Sequence, residues 1–236
     1  MAPSPLHSAV FGTGGIDLDS LVEISGPGDS GKSLVLQHLL AHCLAPYDFG
    51  GRQWGVILIN LSHKIKRESL IKIIKLELKA YSVAEGTSES QTEEQLAKIA
   101  EECLGRVQFL NCFSHDDVSV ALVDARYAIL NDPGLQLIAV DTLSEFYWLD
   151  MYKKPELVSM FQHYQHCLMR LGKTCKEAVV CGMYTVDSNS LEDRNGEELP
   201  DLKISHHVRM RKDEGVISMN GLPLAFSNGA HVDSRT

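Results

Sequence analysis

Short runs dominated by apolar residues recur along this chain. They are Leu21 to Ile24, Trp54 to Ile59, Val107 to Cys112, Leu135 to Val140 and Ala178 to Met183. They are too short for buried helices and lack strict alternation, which predicts strands covered on both faces. Between them the apolar residues return at helical spacing. Leu34, Val35, Leu36, Leu39, Leu40 and Cys43 begin one helix. Leu96, Ile99, Ala100, Cys103 and Leu104 follow i, i+3, i+4, i+7, i+8, and Thr92 with Gln95 forms a capping box ahead of them. Ser114 can cap a helix from about Asp116 to Leu130, stopped by Asn131-Asp132-Pro133-Gly134. A further helix is predicted around Leu157, Met160, Phe161, Tyr164, Leu168 and Leu171, terminated by Gly172. Val208–Met210 and Gly215–Met219 read as the arms of a late hairpin, and Leu224–Phe226 as a last short strand. Residues 46–51, 82–91 and 186–201 read as loops.

Strands alternating with helices predict an α/β fold: a parallel-rich central sheet flanked by helices, with a C-terminal β-hairpin. The 236 residues suit one domain, assigned to 12–236 behind a short tail at 1–11. No internal repeat is visible.

Composition narrows the class only a little. Apolar residues make up 44% and charged residues 22%, which is ordinary for a globular domain. No run is long enough to span a membrane as a helix, and no secretory signal is visible at the N-terminus. Six scattered cysteines on apolar faces, without a C-x-x-C pair, suggest reduced core thiols in an intracellular protein. A formal charge of −9 argues against non-specific nucleic-acid binding by the whole surface, but leaves room for a local basic patch.

The chemistry concentrates after the first strand. Gly26-Pro27-Gly28-Asp29-Ser30-Gly31-Lys32-Ser33 fits G-x-x-x-x-G-K-[ST] between a predicted strand and a predicted helix, the context a P-loop requires. Backbone N–H groups must turn around phosphate oxygens, and Gly26, Gly28 and Gly31 permit the φ values and close approach this needs. The phosphates would then lie at a helix N-terminus. Lys32 would reach the β- and γ-phosphates of ATP, and the Ser33 hydroxyl would join a Mg²⁺ shell. A second metal partner is expected from Asp141, which closes the apolar run Leu137-Ile138-Ala139-Val140 at the carboxyl edge of its strand.

Hydrolysis needs a further group to orient or deprotonate water, usually just past the strand beside the P-loop strand. That place reads Ile59-Asn60-Leu61-Ser62-His63, with no carboxylate before Glu68. Nucleotide binding is therefore better supported than turnover. Glu68, Glu145 and His63 are the substitutes. Lys64, Lys66, Arg67, Lys72, Lys75 and Lys79 on an amphipathic helix over 64–79 leave two readings, a DNA or partner surface and a solvated face.

Taken together these motifs resemble the RecA-type strand-exchange ATPases and, more narrowly, the eukaryotic recombinase paralogs of homologous recombination. Gly14-Gly15-Ile16 and Glu23-Ile24-Ser25-Gly26 match the entry into the P-loop strand. Val140-Asp141-Thr142-Leu143-Ser144-Glu145-Phe146-Tyr147-Trp148-Leu149-Asp150 matches the strand that carries the second acid, and Cys103-Leu104-Gly105-Arg106 adds to it. The resemblance implies a nuclear, ATP- and Mg²⁺-binding subunit. Its partners would be other recombinase paralogs, through them the recombinase filament, and possible single-stranded or junction DNA by way of the complex, with no membrane. It would assist loading or stabilisation of the recombinase at double-strand breaks, with weak or no hydrolysis; the alternatives are a DNA-stimulated ATPase acting directly on DNA and an interaction module with a vestigial P-loop.

The departures weaken a filament-forming role. Ser62 stands where the family carries a catalytic Glu, and Tyr184 where it carries a Gln. The first DNA loop would fall at about 148–157, with only Lys153 and Lys154 as basic charge. The second, at 186–201, holds Asp187, Glu192, Asp193, Glu197, Glu198 and Asp201 against Arg194, which should repel phosphates. The family's helical N-terminal domain and Phe-x-x-Ala linker are not found. Lys203, His206, His207, Arg209, Arg211 and Lys212 are the remaining basic cluster; DNA, a neighbour's nucleotide and an exposed hairpin face are its readings.

Overall fold

A computed structural model describes residues 4–85, 92–153, 159–192, 202–226 and 229–232. Among them the strands form one ten-stranded sheet. Its parallel core consists of β2 (Leu21–Gly26), β3 (Gly55–Asn60), β4 (Val107–Asn111), β5 (Leu135–Asp141), β6 (Cys181–Asp187) and β7 (His206–Asp213). These lie in the order β7-β2-β6-β5-β3-β4. Beyond β7 the sheet continues antiparallel through β8 (Val216–Met219), β9 (Leu222–Ala225), β10 (His231–Val232) and β1 (Ser4–Pro5).

The apolar runs explain the layering. On β3, Val56 and Leu58 pack with helices α2 (Lys32–Leu44), α3 (Arg67–Ala84) and α4 (Glu93–Gly105). Ile57 and Ile59, one residue out of phase, pack instead with α5 (His115–Asn131) and α7 (Met160–Ala178). All four are fully buried. Each such side chain contributes about 1.5–3 kcal/mol of burial free energy, so both faces of the strand are held. The predicted caps form: Thr92 and Gln95 satisfy each other's backbone N–H groups, and Ser114 Oγ accepts from Asp117 N–H.

Five expectations need correction. Residues 4–11 are not a loose tail, since β1 adds to the sheet edge and α1 (Leu6–Phe11) buries Leu6 and Phe11 against the core. Gly172 does not end its helix. It gives room to Leu202, whose Cδ1 would lie 2.1 Å from a Cβ placed there. The helix α7 runs on to Ala178 and stops at Val179, which takes a left-handed conformation with φ of 56°. The following strand is displaced accordingly, running Cys181–Asp187 instead of Ala178–Met183. The basic helix begins at Arg67, so Lys64 precedes it, and it extends to Ala84. Finally, β3 is not beside the P-loop strand β2; β6 and β5 lie between them. A short helix that the sequence did not announce, α6 (Tyr147–Lys153), follows β5. Of the predicted loops, 86–91 and 193–201 lie outside the described residues, as do 154–157 of the expected first DNA loop. All six cysteines are free and buried.

α1 is tied to α2 by a stack of His7 on His42, with ring centroids 3.8 Å apart and planes within 4°. Burial holds His42 down to about 3, with His7 and Arg52 acting in the same direction. Burial also lowers His7, with His231 adding to the shift and Glu77 opposing it. The neutral ring is the folded form, so its stabilisation is complete above pH 6.5 and is lost as pH falls from there toward 3. Urea denaturation between pH 7 and pH 4 should therefore show falling stability, and His42→Phe should flatten that slope. An unchanged slope in the variant would remove His42 from the acid response.

Candidate nucleotide-binding site

Gly31 and Gly26 are each required for a different reason. Gly31 sits at φ of +86°, the left-handed region that favours glycine, and leads into α2. Gly26 is constrained by space: a Cβ there would lie 2.5 Å from the Met210 carbonyl and 2.6 Å from Ser30 Oγ. Gly28 has neither constraint and faces open space. Ser30 is buried and closes the turn, its Oγ donating to the Pro27 carbonyl at 2.8 Å. Pro27, Gly28 and Asp29 form the exposed rim.

Lys32 folds back over this loop. Its ammonium donates to the carbonyls of Gly26 at 2.7 Å and Pro27 at 2.5 Å, and Asp187 Oδ2 lies 3.8 Å away. Burial pushes Lys32 below its usual value and Lys64 adds to this, while Asp187, Asp141 and Asp29 oppose it. The loop thus holds a buried cation whose donors point at carbonyls that an anion could replace.

Asp141 is fully buried, and its carboxylate is surrounded by hydroxyl donors. Ser33 Oγ donates to Oδ1 at 2.9 Å, Thr185 Oγ1 to Oδ1 at 2.6 Å and Ser62 Oγ to Oδ2 at 2.6 Å. Thr142 Oγ1 is more distant, at 3.4 Å. The two residues singled out as metal partners are therefore brought together from positions 108 apart in sequence. A carboxylate beside a hydroxyl is a hard oxygen donor set, of the kind Mg²⁺ takes with phosphate oxygens. Ser62 acts as a donor to Asp141, not as a base.

Beside the loop lies a cavity of about 250 Å³, lined by Gly28, Lys32, Lys64, Glu145, Trp148 and Asp187 among others. Of the three substitutes for a base, only Glu145 lines this cavity. His63 stacks on the Phe113 ring at 4.5 Å, and Glu68 sits exposed in the first turn of α3. Tyr184, expected at the position coupled to phosphate, lies instead on the far side of the sheet core. Its hydroxyl donates to the buried Glu23 carboxylate at 2.9 Å and lies 3.0 Å from the hydroxyl of Tyr164. Burial, then Glu23 and Tyr164, hold Tyr184 far above the usual phenol range. The β6 residue that reaches the loop is Asp187, and the one that reaches Asp141 is Thr185. The sequence reading missed both roles because it ended the strand at Met183; the run Tyr184-Thr185-Val186 was the available signal.

The basic candidates disperse. Lys79 pairs with Glu93 at 2.6 Å, and Arg67 lies over the Phe109 ring at 5.3 Å. On β7, Val208 and Met210 point inward while Arg209 and Arg211 stand outward. Both line a cleft of about 670 Å³ that reaches Gly26 and Pro27. His207 contacts Glu23 at 3.2 Å, and Lys203 lines a separate cavity with Lys176.

Removing one donor from a buried carboxylate should cost about 1.5–3 kcal/mol. Thr185→Val, nearly isosteric and fully buried, is expected to lower the unfolding free energy by that amount in urea denaturation. A neutral result would mean that the Asp141 carboxylate does not depend on this hydroxyl.

No family model matches the chain. It is 29% identical over 157 residues to the DNA repair protein XRCC2 of Mus musculus, covering 66% of this chain and 48% of that protein. It is 25% identical over 175 residues to the DNA repair protein RAD51 of Mycosarcoma maydis, covering 73% and 45% of the two chains. The RAD51 of Saccharomyces cerevisiae matches at 22% over 170 residues, 71% and 38% respectively. The matches thus span less than half the length of each relative. With its parallel-rich sheet flanked by helices, the chain has a RecA-like α/β fold and resembles the RecA-type recombinase paralogs.

Proposed function

We propose that this chain is an ATP-binding subunit of recombinase-paralog type, acting in homologous recombination repair of DNA double-strand breaks. It would assist loading or stabilisation of the recombinase within a nuclear complex of paralogs, with contact to DNA made through that complex. The observation that carries the reading is the 2.9 Å contact between Ser33 and Asp141 beside the folded loop Gly26–Lys32. Matches to proteins named for DNA repair support the pathway.

The loop backbone from Gly26 to Gly31 and the Lys32 ammonium would hold the phosphates of ATP, and Ser33 with Asp141 would hold Mg²⁺. Bound there, Mg²⁺-ATP supplies concentrated charge that can order the residues around it. Lys32 exchanges the Gly26 and Pro27 carbonyls for phosphate oxygens, a stronger, charge-assisted pairing. Lys64, lining the same cavity, adds a second cation. Ser62 keeps the Asp141 carboxylate oriented and offers no acceptor strong enough to take a proton from water. Nucleotide in this reading is chiefly a structural ligand. Glu145, on the wall of the same cavity, favours a second reading, a slow DNA-stimulated ATPase.

Mg²⁺-ATP at about a hundred times its Kd should stabilise the chain by about 2.7 kcal/mol, a melting shift of about 5–10 °C. Lys32→Ala should abolish that shift and weaken capture of paralog partners. Single-turnover assays should show negligible phosphate release with or without single-stranded DNA. Brisk, DNA-stimulated release that is lost in Glu145→Gln would establish the ATPase instead. No shift with Mg²⁺-ATP, alone or with partners added, would sink both readings.

A further inference from the structure

A second group of ligand-type side chains lies behind the nucleotide cavity, where α5, α6 and α7 meet. One ring nitrogen of His115, one of His163 and the Cys167 sulfur lie within 4.8 Å of one another. His163 and Cys167 are four residues apart on α7 and share a face, while His115 opens α5. His163 and Cys167 are buried and His115 half-buried.

The hydrogen bonding of His163 is unusual. Its Nε2 lies 3.2 Å from Asp150 Oδ2 on α6, whereas its Nδ1 is enclosed and has no hydrogen-bond partner among the described residues. Only 8% of the residue is exposed. With the ring proton on Nε2, where it faces the carboxylate, Nδ1 carries a bare lone pair. An acceptor buried in this way is unfavourable unless something fills it. Donation of one imidazole N–H to a carboxylate while the other nitrogen is left free is also how metal-ligating histidines are oriented.

We propose that His115, His163 and Cys167 form a Zn²⁺ site, with Asp150 as the positioning residue for His163. Two imidazoles and a thiolate select Zn²⁺ over the hard cations Mg²⁺ and Ca²⁺. Three protein ligands leave a fourth position for water. Coordination takes the thiolate, and the Cys167 proton leaves to solvent. Arg170 opposes binding, since its Nη1 lies 3.0 Å from His115 Nε2 and it brings a positive charge to the site. Bound Zn²⁺ joins α5 to α7 and, through Asp150, holds α6. That helix carries Trp148 into the cavity beside Lys32, so the metal steadies one wall of the nucleotide site from behind.

The test titrates the metal-stripped full chain with Co²⁺ and then displaces it with Zn²⁺. One equivalent of Co²⁺ should give a thiolate-to-cobalt charge-transfer band, which Zn²⁺ removes. Cys167→Ser should abolish the band, Cys112→Ser should leave it unchanged, and Asp150→Asn should lower affinity 10–100-fold. Arg170→Ala removes the competing cation without emptying a core position and should bind Zn²⁺ more tightly than the wild type. The proposal is overturned by a wild-type chain without the band, by a band that survives Cys167→Ser, or by an Arg170→Ala affinity that is unchanged or weaker.

Discussion

Asp141 collects hydroxyl donors from three separate parts of the chain: Ser33 at the start of α2, Ser62 after β3 and Thr185 on β6. The backbone N–H groups of Leu61 and Ser62 also donate to its carbonyl, at 2.7 and 2.8 Å. A fully buried carboxylate is tolerated only when its oxygens are satisfied, so these segments must arrive in register. In this fold that requirement and the sheet order agree. β3 and β6 flank β5 and deliver Ser62 and Thr185 from its two sides, while the loop after β2 delivers Ser33.

The charge balance around the loop then limits what can bind. Among the described residues, the 250 Å³ cavity is lined by two cations, Lys32 and Lys64, and two carboxylates, Glu145 and Asp187. Lys32 is already engaged with two carbonyls and lies near Asp187. An anion entering alone would meet both acids, so little net attraction would remain. An anion that brings a divalent cation can neutralise part of its charge at Asp141 and Ser33 while Lys32 turns to it. Under the proposed Mg²⁺-ATP reading, a metal-phosphate ligand would suit this charge balance better than a bare anion.

The sequence disclosed the parts of this arrangement whose physics is local. The glycine-lysine-serine loop, the apolar strand ending in Asp141 and the Thr92 and Ser114 caps each depend on neighbours a few residues away. Long-range facts were hidden. Nothing near Ser62 says that β3 sits three strands from β2, or that its hydroxyl would meet Asp141. Gly172 carries the local sign of a helix end, yet its use is to admit Leu202, thirty residues onward. Misplacing that helix end shifted β6 by three residues at its start and four at its end, which left Thr185 and Asp187 out of the strand. Leu6 and Phe11 failed as signals for another reason: two apolar residues in a Pro/Ser-containing stretch have no periodicity to read, and only the exposed end of the sheet makes them core.

α6 shows how tertiary contacts supply what local sequence lacks. It has seven residues, short for an isolated helix, and Trp148 and Tyr152 on it are exposed. Its hold on the domain comes from Tyr147, which is buried and packs edge-on against His163, and from Asp150, which faces both His163 and His115. The same helix borders the phosphate loop through Trp148. Under the two proposals, this one small element borders both the nucleotide cavity and the imidazole cluster. Whatever fixes the imidazoles behind α6 also fixes the aromatic wall in front of it, and motion of that wall is opposed from behind by Asp150.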